Sequence, residues 1–340
     1  MAIYDLKKES LYFRFGGRVL FREPEAILGF SANYIDMIVC GSQVSFHLRT
    51  GINERINQPR IMVYLNDEKY KEIALERENQ DINIVFPESA KEEVRVRILK
   101  LTEAAMSFVA VSNINTDGEL KIFEASEDNR TKVQFIGDSI TCGYGVLASP
   151  EAEYDLNDED VTYSYAGVLT DMLNLNSQWV SASGYGMFVE YTGDPENVVP
   201  KLYDYKNWFY DKEERVNHRE FDPDIIIINL GTNDSGHLGN ENILRGFMAK
   251  YEAFLYRLRL AHENAKIVCV LGTIAPGVFK YVQQVIDKVK MQGFKDIYGL
   301  ELPEHNIALD GMACWHPSKM THKKDAERIA EFLKKEGIVK

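Results

Sequence analysis

Cysteine is scarce in this chain of 340 residues. The four that occur, Cys40, Cys142, Cys269 and Cys314, lie far apart with no CxxC pair. That excludes a disulfide framework and a structural zinc site, and it points to free thiols in a reducing compartment. Positive charge is short as well. With 39 basic against 52 acidic side chains the net charge is −13, which weighs against a nucleic-acid partner, because such proteins set cations against phosphates. The most apolar run, 225–228, falls far below the roughly 20 residues that cross a bilayer as a helix. The opening MAIYDLKKESLYFRFGG has neither the apolar stretch nor the small-residue cleavage site of a secretory signal. The expectation is a cytoplasmic protein with no membrane partner. P-loop and HExxH strings are missing, and His316 and His322 have no companions at metal-ligand spacing, so neither a metal nor a cofactor is implied.

What is present is the composition of a globular protein, 45% hydrophobic and 27% charged, which argues against disorder. At roughly 150 residues per domain the length suggests two domains, and the rhythm of the chain changes once. Over 11–123, short apolar-polar alternations at 37–40, 44–48, 61–65, 82–86, 94–101 and 108–111 are broken by Asn, Asp, Gly and Pro. Strands at this spacing without long helical patterns predict an all-β sandwich over 1–125. A polar stretch at 124–131, EASEDNRT, marks the boundary.

From 131 to 340 the strands, at 133–136, 178–181, 225–230 and 267–271, are mostly apolar throughout. Helical periodicity covers 243–262, 279–291 and 319–335. Near-continuous apolar strands alternating with helices predict a parallel sheet in a three-layer α/β domain. Ligands of such sheets bind beyond the carboxyl ends of the strands. At those ends stand Ser139 within GDSIT, the glycines of SASGYG at 181–186, Asn233 within NLGTND, and His316 before the last helix. A hydroxyl, an imidazole and amide donors are the parts that acyl transfer needs. The competing dinucleotide fingerprint at 143–148 sits beyond its strand and runs into an acidic loop, so it is set aside.

These blocks resemble those of the SGNH (GDSL-type) hydrolases. GDSITCGYG at 137–145, NLGTND at 229–234 and Trp315-His316-Pro317, behind an N-terminal sandwich, look most like family 2 carbohydrate esterases. The resemblance implies a jelly-roll-like sandwich before an SGNH α/β domain, and an acetylesterase acting on acetylated xylan- or mannan-type oligosaccharides. It implies Ser139 as nucleophile and His316 as base, with an oxyanion hole from the Ser139 and Gly184 N–H groups and the Asn233 amide. Gly186 is the second candidate glycine.

Two positions depart from that pattern. Most SGNH hydrolases have an aspartate three residues before the histidine, where this chain has Ala313. The resemblance then implies that the Trp315 backbone carbonyl orients His316, with Asp310 as the rival acid. Thr321 stands where the family often has glycine. Among the aromatics, Tyr185, Tyr144 and Trp208 are candidates to face sugar rings, and the acidic run 151–160 reads as a solvated loop or a rim that repels anions. The rival functional readings are a lipase or thioesterase acting on acyl chains, and a carbohydrate-binding protein without catalysis.

Overall fold

The computed structural model describes residues 2–51, 58–88, 93–123 and 128–339. Of the boundary stretch expected at 124–131, residues 124–127 lie outside the described ones. The chain forms two units. One is Met1–Asp128 together with Asp155–Asn157 and Lys206–Lys212; the other is the remainder. The two short additions to the first unit come from beyond the expected boundary at 124–131, which no local pattern announces.

The first unit is two antiparallel sheets. Its strands are β1 (Ala2–Tyr4), β2 (Phe13–Gly16), β3 (Val19–Arg22), β4 (Glu25–Leu28), β5 (Tyr34–Cys40) and β6 (Gln43–Arg49). There follow β7 (Arg60–Leu65), β8 (Glu68–Ala74), β9 (Asn79–Val85), β10 (Val94–Lys100), β11 (Val109–Thr116) and β12 (Glu119–Lys121). One sheet runs β3-β4-β11-β6-β9 with β1 beside β11, the other β12-β5-β10-β7-β8 with β2 beside β5. Alternation does the sorting. Val44, Phe46 and Leu48 of β6 face the same core as Val94, Val96 and Ile98 of β10, as period-2 side chains must when one face is buried. The sequence reading missed β8 because five consecutive residues of that edge strand are exposed.

The second unit holds a parallel five-stranded sheet of β13 (Lys132–Gly137), β14 (Asn176–Ser181), β17 (Ile225–Asn229), β18 (Lys266–Leu271) and β19 (Ile297–Glu301). Its order is β14-β13-β17-β18-β19, every neighbouring pair parallel. All five residues of β17 are buried, so both faces of the sheet are covered, because neighbours along a strand point to opposite sides. The helices are α1 (Ser139–Cys142), α2 (Tyr165–Met172), α3 (Val199–Leu202), α4 (Glu241–Ala261), α5 (Phe279–Met291), α6 (Ile307–Asp310) and α7 (Lys319–Lys335). Helix α2 packs on α7, and α4 on α5. Two short strands, β15 (Tyr205–Asn207) and β16 (Asp211–Arg215), interrupt the run between β14 and β17. No helix among the described residues is long and apolar enough to cross a membrane.

This strand order reverses direction between β13 and β17, the place where open α/β sheets gather ligands. Ser139 follows β13 and Asn233 follows β17. The topology therefore sets both beside the same crevice.

Candidate active site

Ser139 is the first residue of α1, and its side chain is buried. Gly137 allows the tight exit from β13, since a Cβ there would fall 1.9 Å from Thr141 Oγ1. Asp138 caps the turn by accepting from Ile140 N at 3.0 Å. The Ser139 N–H meets no acceptor among the described residues. Burial, opposed by the Ile140 bond and assisted by the Asp234 carboxylate, pushes the Asp138 carboxyl up to about 7.

His316 Nε2 lies 2.9 Å from Ser139 Oγ, and its Nδ1 lies 2.9 Å from the backbone carbonyl of Cys314. A carbonyl only accepts, so Nδ1 carries the proton and Nε2 presents its lone pair to the serine. That is the tautomer a general base needs. Burial lowers the His316 pKa below its ordinary value of 6.5; the Cys314 carbonyl raises it, and His305 lowers it again.

The orienting carbonyl differs from the one implied by resemblance. It belongs to Cys314, not Trp315, and the reason is a turn. Strands β20 (Met312–Ala313) and β21 (His316–Pro317) pair with Ala313 opposite His316. Cys314 and Trp315 form the two-residue link, with φ of 45° and 60°. Positive φ at both positions is what a type I′ hairpin turn requires. The chain folds straight back, so the carbonyl two residues before His316 meets its ring. Non-glycine residues held this way cost about 1–3 kcal/mol each. Here they are tied down by bonds from Cys314 N to Ser149 O (3.1 Å) and from Trp315 N to Pro150 O (3.2 Å). The Trp315 side chain stands 63% exposed beside the histidine. Asp310 is not the orienting acid, because its carboxylate is bonded to Lys324.

Gly184 takes φ +80°, and its N–H meets no acceptor among the described residues. The alternative, Gly186, is committed elsewhere. It bridges to Val198, and a Cβ there would lie 1.8 Å from Val189 O. Asn233 donates its amide to the Tyr185 carbonyl at 2.9 Å, which joins the loop after β17 to the loop after β14. Asp234, fully buried, accepts from Met187, Phe188 and Val189 N at 2.8, 2.8 and 2.9 Å. Its carboxylate thus holds the segment that follows Gly184. Nothing in the sequence assigned it that task, although it stands next to Asn233 in the same motif.

The structure sets Tyr144 against the base, its ring 4.5 Å from that of His316 at a tilt of 40°. On Tyr144 stacks Tyr154, at 4.0 Å and 8°, and Tyr154 donates to buried Glu159 at 2.9 Å. The acidic run is therefore not wholly a solvated loop: Glu159 and Asp160 point inward, the latter capping a turn through Thr162 N. Tyr185 is half-buried. Trp208 belongs with the first unit, where Lys212 Nζ lies 4.8 Å over its ring. Thr321 keeps the start of α7 intact, its N–H donating to Ser318 Oγ. His322 accepts from Tyr165 N through Nδ1, and burial lowers its pKa to about 3, which keeps it neutral. No group of three or more metal-ligating side chains occurs among the described residues.

Residues 135–298 match the GDSL-like lipase/acylhydrolase family, and residues 15–125 match the carbohydrate esterase 2 N-terminal family. The cellulase/esterase CelE of Acetivibrio thermocellus is 29% identical over 241 residues, 69% of this chain and 29% of that protein. An acetylxylan esterase/glucomannan deacetylase of Cellvibrio japonicus is 26% identical over 241 residues, 66% of this chain and 64% of its own. The match thus spans less than two thirds of either relative. A family two carbohydrate esterase from Clostridium thermocellum, solved in complex with cellohexaose, superposes with a TM-score of 0.86 at 25% identity, covering 96% of this chain and 100% of that one.

Proposed function

Because the chain joins a carbohydrate esterase 2 N-terminal domain to a GDSL-type hydrolase domain, and so belongs with the family 2 carbohydrate esterases, we propose that it removes O-acetyl groups from xylan- or mannan-type oligosaccharides. The observation that carries this reading is the linear relay Ser139 Oγ, His316 Nε2, His316 Nδ1, Cys314 O, with both contacts at 2.9 Å. The sugar class is supported by the relatives, one named for acetylxylan and glucomannan and one solved with cellohexaose.

In this reading Ser139 Oγ attacks the acetyl carbonyl while His316 Nε2 takes its proton. The Ser139 and Gly184 N–H groups and the second amide hydrogen of Asn233, whose first is donated to Tyr185 O, then stabilise the negative charge on the acetyl oxygen. Collapse breaks the ester C–O bond, and the imidazolium returns the proton to the departing sugar oxygen. Water then repeats the sequence on the acetyl-serine, losing its proton to His316 and releasing acetate. A neutral carbonyl fixes the tautomer as an aspartate would, the function whose loss costs a serine protease about 10⁴ in rate, but it does less for the imidazolium.

The test is acetate release from acetylated xylo- and manno-oligosaccharides by wild type and Ser139→Ala. The variant is expected to lose about 10⁶-fold in kcat, the order seen when a nucleophile is removed. Equal rates would overturn the nucleophile assignment. Faster turnover of long-chain than of acetyl nitrophenyl esters would overturn the substrate.

A further inference from the structure

We propose that Tyr144, backed by Tyr154 and Glu159, stabilises the positive charge that His316 acquires during the reaction, and so supplies part of what Ala313 cannot. This rests on His316 acting as the base.

The need is visible in the surroundings of His316. Its Nδ1 partner is a neutral carbonyl, and burial opposes its charging. From its own hairpin comes the Cys314 thiol, whose pKa burial raises, keeping it uncharged. The loop after β19 brings His305, which acts against the imidazolium. Helix α7 brings His322, itself held neutral. Asp310 is bonded to Lys324, and Asp325 faces Thr273 and Arg328. Among the described residues no carboxylate is hydrogen-bonded to the His316 ring.

What does meet the ring is Tyr144, at 4.5 Å between centroids. That is inside the roughly 6 Å within which an aromatic face attracts a cation. The near-parallel stack of Tyr154 holds Tyr144 in place. Donation of the Tyr154 hydroxyl to Glu159, which is 0% exposed, anchors the far end of the stack and makes the Tyr154 ring more electron-rich. The order is then Glu159, phenol, phenol, imidazole. Tyr144 acts through His316, which makes it a positioning residue in the electrostatic sense.

Burial and the ring move the His316 pKa in opposite directions, and the sign of the change therefore separates this role from a packing role. Removing the ring face while the site stays closed lowers the pKa further. Opening the site to water relieves burial and raises it. In Tyr144→Leu we expect the acid limb of the kcat/KM profile to move to lower pH by about half to one pH unit, and plateau kcat to fall about three- to tenfold. Tyr144→Phe, which keeps the ring, should restore most of that loss. Glu159→Gln, which keeps a carbonyl acceptor but a weaker one, should move the limb the same way by less. Titration of the His316 ring protons by NMR in a Ser139→Ala background reads the same shift without turnover. It therefore stands even if the nucleophile assignment fails. An upward or absent shift in Tyr144→Leu, or a Tyr144→Phe variant as impaired as Tyr144→Leu, overturns the proposal.

Discussion

At the N-terminal end of the parallel sheet, residues just before β13, β14 and β17 and at the start of β18 line a cavity of about 780 Å³, among them Arg130, Asp222, Asp224 and Lys266. Each of these is engaged in holding the fold. Arg130 donates to Leu175 O, Lys266 to Gly337 O, Asp224 accepts from Lys132 N, and Asp222 meets His262 Nδ1. At the opposite end, beyond β13, the Ser139 and Gly184 N–H groups have no acceptor among the described residues, and the Ser139–His316 pair is preassembled. A cavity by itself does not mark a reactive site. Donors left unpaired at a sheet's carboxyl edge mark the place where charge can develop, because a buried donor without a partner costs free energy that a bound oxyanion returns.

That contrast can be broken by substitution. After Ser139→Ala, the largest effect is expected for Asn233→Ala, which removes one donor at the carboxyl edge. Its kcat should fall about 10²–10³-fold with the fold intact by circular dichroism, and a loss under tenfold would remove Asn233 from the oxyanion hole. Asp310→Ala tests whether an acid hidden near the histidine matters after all. With its carboxylate committed to Lys324, kcat/KM should stay within about threefold of wild type, and a fall of several orders would restore Asp310 as the orienting group. The smallest effect on catalysis is expected at the other end of the sheet. Asp224→Ala should leave kcat unchanged and lower stability by about 1 kcal/mol, since its bond from Lys132 N is exposed to water, seen as a lower Tm. Impaired turnover there would show that the two ends are not functionally separate.

How much of this was legible beforehand follows from where each signal lives. Strand β17 announces itself because five consecutive buried residues leave an apolar string in the sequence. Edge strand β19, half-exposed, leaves none, and the eight residues of α2 are too few for a clear period. The Cys314-Trp315 turn is invisible for a different reason. Type I′ turns are recognised by Asn-Gly or Asp-Gly pairs, and here two side-chain-bearing residues are held left-handed by bonds to Ser149 and Pro150, more than 160 positions away. The Tyr144–Tyr154–Glu159 stack has the same character, since ring planes and separations are not encoded by any spacing.

By itself the sequence determined the inventory and its order: a β-rich half, an α/β half, and Ser139, Gly184, Asn233 and His316 each just beyond an apolar strand or before a helix. Such facts are local, written in residue type and period. Only the tertiary structure decided which carbonyl orients His316, which of two glycines takes the left-handed turn after β14, and which tyrosine faces the base. Those outcomes depend on backbone direction at a strained turn and on contacts between distant segments, and a linear pattern carries neither.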